Sequence, residues 1–140
     1  VTREDSIERQ DARPQKSAEQ RDLEFLRATS PTYKALVRNM VCSYTRDDTE
    51  VRVAGGSGPE PDAFLGLVPC MTAQRDGDLL VIEIATGVML RNPHLVERMT
   101  LLSRMENSRR WLVVPFDDLL QAQVLINDVA GGWRAIVGDG

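Results

Sequence analysis

Leu79-Leu80-Val81-Ile82-Glu83-Ile84-Ala85 is an apolar run interrupted by one ionisable group. Asp76-Gly77 precedes it and Thr86-Gly87 follows it. A short, nearly continuous apolar run between turn residues predicts a central strand covered on both faces. A chain with such a strand must supply helices to cover it. A carboxylate inside the run costs several kcal/mol to bury unless it is paired or binds a metal. Alternation puts Glu83 on one face with Leu79, Val81 and Ala85, while Ile82 and Ile84 point the other way. Two partners for Glu83 stay open: an arginine, or a divalent cation shared with a second acid.

The rest of the chain supplies the elements such a strand needs. Tyr33, Leu36, Val37, Met40 and Val41 form a helical stripe, with Ser30 or Thr29 as cap and Pro31 at the first helical position. A short helical piece over Asp22–Ala28 precedes it, and Arg46-Asp47-Asp48 reads as a turn after it. Glu50-Val51-Arg52-Val53 alternates as a half-exposed strand and ends at Gly55-Gly56-Ser57-Gly58-Pro59. A second strand is expected over Asp62–Val68, ended by Pro69. Arg75-Asp76-Gly77-Asp78 predicts a hairpin turn. Beyond the central strand, Asn92 and Pro93 open a helix with Leu95, Met99, Leu102 and Met105 on its apolar face. Trp111–Pro115 reads as a strand, and Asp117 or Asp118 caps a helix carrying Leu119, Leu120, Val124 and Ile126. Gly131-Gly132 breaks that helix before an edge strand over Trp133–Val137.

Helix, three strands, helix, strand, helix, strand describes an α/β (α+β) domain, a mixed central sheet flanked by helices. We assign 1–20 as a polar tail or linker and 21–140 as one domain. The 140 residues suffice for a single core. A net charge of −4 argues against indiscriminate coating of nucleic acid. Cys42 and Cys70 lack the spacing of a zinc or redox motif and read as free thiols. The single histidine, His94, rules out a His-rich metal site. No apolar run approaches a membrane span, so a cytoplasmic protein without a membrane partner is expected. The opening residue, Val1 rather than methionine, leaves three expectations open: a trimmed chain, a processed one, or a piece excised from a larger parent protein.

Pro61-Asp62, then some twenty residues, then Glu83-Ile84-Ala85 resembles the signature of the PD-(D/E)xK, or restriction-endonuclease-like, phosphodiesterase superfamily, with Ala85 where the motif has lysine. The expected αβββαβ core agrees with that resemblance. The resemblance implies a nuclease acting on nucleic acid, DNA above all, with Mg²⁺ or Mn²⁺ held by Asp62, Glu83 and the backbone carbonyl of Ile84. Glu60 is a further acid on the Asp62 side. Such a metal polarises the phosphoryl oxygen and activates bound water, while the motif lysine supplies charge to the transition state. Ile82–Gly87 together with Leu112–Pro115 resembles a group of bacterial proteins of this kind.

Ala85 leaves three readings open: an engineered inactivation, a natural member that binds without cutting, or a cation supplied from elsewhere. Lys16 and Lys34 are the only lysines. Lys34, Arg91 and Arg98 are the candidate phosphate-binding cations, although arginine is a clamp rather than a base. Glu19 and Glu24 are candidates for an additional acid from a helix. Arg104, Arg109 and Arg110 form a basic cluster that contacts phosphates or complements a helix end. The alternatives to the nuclease are a catalytically silent module binding DNA or a protein partner, and an assembly domain that forms a homodimer through a strand edge or an apolar helix face.

Overall fold

A computed structural model describes residues 16–44, 48–129 and 131–139. Most of the polar tail and the Arg46-Asp47 part of the expected turn lie outside these residues. Helix α1 (Ala18–Thr29) starts where the Ser17 hydroxyl accepts from the Gln20 amide. Helix α2 (Pro31–Tyr44) follows at once, with the Ser30 hydroxyl accepting from the Tyr33 amide and Pro31 at its start. Leu36 and Met40 of the expected stripe are buried, and Tyr33, Val37 and Val41 pack beside them.

The sheet holds β1 (Glu50–Val53), β2 (Met71–Arg75), β3 (Asp78–Ile84), β4 (Ser108–Val114) and β5 (Trp133–Val137), side by side in that order. The first two pairings are antiparallel and the last two parallel. A parallel pair needs a crossover. Helices α3 (Gly87–Leu90) and α4 (Pro93–Leu102) make the first, and α5 (Leu119–Asn127), entered through a 3₁₀ turn at Phe116–Asp118, makes the second. Asn92 caps α4 by accepting from the His94 amide at 2.8 Å, with Pro93 at the first position. Asp118 makes no side-chain capping bond to α5, contrary to expectation, and its carboxylate lies over Gly87 instead.

One strand departs from expectation. Residues 62–68 form no strand; they close a tight turn in which Phe64 and Leu67 exchange both backbone hydrogen bonds across Leu65 and Gly66. The strand before β3 is Met71–Arg75, with Arg75 opposite Asp78 and Met71 opposite Ile82. The physical reason was already present in the Asp76-Gly77 turn. A two-residue hairpin, here with positive φ at both residues, requires its first strand to end immediately before the turn. A strand ended by Pro69 cannot meet that condition.

β3 is covered on both faces. Leu80, Ile82 and Ile84 pack with Val113, Leu36 and Met40 beneath α2. Val81 and Ala85 pack with Leu112 against Leu23 of α1 and Leu95, Met99 and Leu102 of α4. The molecule is thus a mixed α+β domain, a five-stranded mixed sheet flanked by helices. Among the described residues, no helix is long and apolar enough to cross a membrane.

Candidate functional site

Glu83 lies on the face of β3 that carries Val81, the face covered by α1 and α4, and it is completely buried. All its partners reach it from other elements. Arg98, one turn into α4, donates Nε to Oε1 at 2.5 Å and Nη2 to Oε2 at 3.1 Å. This is the two-point fork that guanidinium and carboxylate make best. The same Nη2 donates to the Val68 carbonyl at 2.8 Å, and the Cys70 amide donates to Oε2 at 2.9 Å. Arg27, from α1, brings Nη2 to 3.6 Å from Oε1 and to 3.4 Å from the Ile84 carbonyl oxygen. Of the two partners open to Glu83, the structure shows arginine, twice over.

Electrostatics follow the geometry. Burial pushes the Glu83 carboxyl up, but the Arg98 and Arg27 guanidiniums outweigh it and hold it at about 2. Burial pulls the Arg98 guanidinium down, and Glu83 more than reverses that, so its pKa is raised. Burial raises both the Tyr33 phenol and the Cys70 thiol, leaving these neighbours neutral. Two guanidiniums facing one carboxylate leave the cluster with one uncompensated positive charge.

Arg27 is only partly satisfied. Its two contacts to β3 are long, its guanidinium stands 5.6 Å from the Tyr33 ring centroid, and its buried Nε has no acceptor among the described residues. A buried donor without an acceptor is uncommon in folded proteins.

The other residues singled out in the sequence are dispersed. Asp62 precedes the Phe64–Leu67 turn with its side chain 97% exposed, 3.4 Å from Arg52. Glu60 accepts from the Gly55 amide at 3.1 Å. Ala85 is buried in the core. Arg91 is exposed at the end of α3. Glu24 pairs with Lys16 at 3.0 Å, and the Glu19 backbone carbonyl accepts from Asn92. Arg109 pairs with Asp78, and Arg110 donates to the Gly131 and Met105 carbonyls, so both brace the sheet end.

These positions do not fit a divalent cation. Both Glu83 oxygens already accept hydrogen bonds, and Asp62 is exposed with Arg52 beside it. The space between Glu83 and the Ile84 carbonyl, which the resemblance gives to a metal, holds a guanidinium. Among the described residues, no three of His, Cys, Asp and Glu gather as a cation site would require. Arg27 was the residue the sequence reading missed. Its signal was its place on α1 one turn after Leu23, the helix's buried residue, where a second apolar side chain would be usual.

Beside this cluster opens a cavity of about 950 Å³. Arg27 and Arg98 line it, with Tyr33, Lys34 and Arg38 from α2 and the Gly55-Gly56 turn after β1. Comparison of the chain with protein-family models, with curated proteins and with solved structures finds no match.

Proposed function

We propose that the chain is a restriction-endonuclease-like domain that binds nucleic acid, DNA foremost, without cutting it. The observation that carries this reading is the Arg27 guanidinium lying between Glu83 and the Ile84 carbonyl. A guanidinium there occupies the place between the two acceptors and offers no Lewis-acid centre to bind and ionise water. The missing cation at Ala85 points the same way. Helix, three-stranded meander, crossover helix and parallel strand in that order support the fold assignment. The retained glutamate then works as an anchor for two arginines that face a cavity, in a place suited to phosphate.

The test pairs cleavage with binding. Plasmid and single-stranded DNA incubated with the protein and Mn²⁺ should remain intact. Short DNA should bind with an affinity that falls steeply as salt rises. Mn²⁺-dependent cleavage lost in Glu83→Gln would overturn the reading.

A second reading has its own observation. Phe116, Leu120 and Val124 are exposed at helical spacing along the 3₁₀ turn and α5, at 69%, 75% and 58%. An apolar stripe of this kind suits a homodimer interface. A mass in solution that doubles with concentration, and reverts in Leu120→Ser, supports assembly.

A further inference from the structure

We infer that the cavity beside the Glu83 cluster binds a phosphate monoester of about mononucleotide size. The inference rests on reading the domain as a metal-free binding module. Five cations line this cavity: Lys16, Arg27, Lys34, Arg38 and Arg98. Both of the chain's lysines are among them. The carboxylates available to them are Glu24 and Glu60 on the wall and Glu83 behind the floor. Lys16 is cancelled by Glu24, and Glu60 is turned to the Gly55 amide. Lys34 and Arg38 make no ion pair with another described residue, and they stand one turn apart on α2. A chain of net charge −4 has therefore gathered an excess of positive charge in one concavity.

The floor carries the second, independent observation. Arg27 is half-buried with its Nε enclosed, that Nε has no acceptor among the described residues, and its Nη2 contacts are long. A small rotation of this guanidinium toward the cavity offers two donors to one oxyanion. A phosphate monoester supplies three acceptor oxygens and close to two negative charges, which match the orphaned donor and the unpaired cations of α2. Part of the remaining wall is apolar, with Val37, Val53 and Leu67, and suits a flat organic body. The cavity volume lies within the range of small-ligand sites. A terminal phosphate, with close to two negative charges against one for a backbone phosphodiester, is the group that best suits this excess of cations. A free nucleotide and the phosphorylated end of a strand share that chemistry.

Calorimetric titration of the whole chain in EDTA tests the inference. The probes are inorganic phosphate, adenosine monophosphate, adenosine, and a short oligonucleotide with and without a 5′-phosphate. The variant is Lys34→Met/Arg38→Met, both on the exposed side of α2, with a circular dichroism spectrum as the folding control. We expect the monophosphate to bind at least about tenfold more tightly than adenosine, and the variant to weaken it by a similar factor. Binding of the phosphorylated strand, lost in the variant, identifies the strand end as the source. Binding of the mononucleotide alone identifies the free ligand. Equal binding of adenosine, an unaffected variant, or no phosphate binding at about 10 mM would each overturn the inference. Mn²⁺-dependent cleavage would instead overturn the module reading and leave the phosphate titration intact, so the two failures are distinguishable.

Discussion

Arg98→Met is the perturbation that most directly tests the buried cluster. The native guanidinium makes two hydrogen bonds to Glu83 and one to the Val68 carbonyl. Methionine keeps much of the stem's volume but removes every donor. Glu83 is then left buried with Arg27 at 3.6 Å and the Cys70 amide. A carboxyl held at about 2 against an ordinary 4.5 stabilises the folded state at neutral pH by roughly 3 kcal/mol. Breaking a buried pair from one side costs about 3–5 kcal/mol because the surviving charge stays desolvated. A loss in that range is a large part of the ~5–15 kcal/mol that holds a domain together. The pH dependence has a definite sign. Because the folded-state pKa of Glu83 is depressed, its stabilisation is complete above about 4.5 and is lost as pH falls toward about 2. In the variant, burial pushes the same carboxyl up with Arg98 gone, so that stabilisation is diminished even at neutral pH. The gap between the two proteins is therefore widest near pH 7 and narrows below pH 4. Urea unfolding followed by the fluorescence of Trp111 and Trp133 measures it at both ends. A loss under about 1 kcal/mol at pH 7, or a gap that does not narrow in acid, would refute the reasoning.

Three further outcomes are expected. Ala85→Lys places an ammonium in a fully buried position on the strand face that already serves two arginines, so we expect a loss of roughly 2–5 kcal/mol and no cleavage with Mn²⁺; an unchanged urea midpoint together with strand cutting contradicts this. Asp62→Ala, at an exposed side chain, should leave both the urea midpoint and phosphate binding where they were; a marked change in either would give Asp62 a role its surroundings do not explain. Gly131→Ala drives a methyl into the Ser103 side chain at a φ of +109°, and should cost about 2 kcal/mol or more; thermal unfolding at the native temperature would show the clash is relieved elsewhere.

Much of the frame is legible in the sequence because its signals are local. The Ser30-Pro31 and Asn92-Pro93 caps, the stripe from Tyr33 to Val41, the Asp76-Gly77 turn and the apolar run around Glu83 each act over a few residues. Propensity and periodicity therefore report them directly. The turn even contained the correction to β2, since a two-residue hairpin leaves no room between strand and turn. The burial of Glu83, and its face of β3, followed from alternation alone.

What met Glu83 there was decided only in three dimensions. Its partners come from residues 27, 70 and 98, which nothing in linear spacing connects. The choice between a metal and a guanidinium is a balance of desolvation against charge at a place where α1, β3 and α4 converge. Asp62 illustrates the same limit. Its distance along the chain from Glu83 suited a shared site, but the Phe64–Leu67 turn takes that segment out of the sheet and leaves the acid in solvent. Local sequence determines which residues form helix, turn and buried strand, because those free energies arise within a few residues. Tertiary packing decides which charges share the interior, because only there does the loss of water make one partner far more favourable than another.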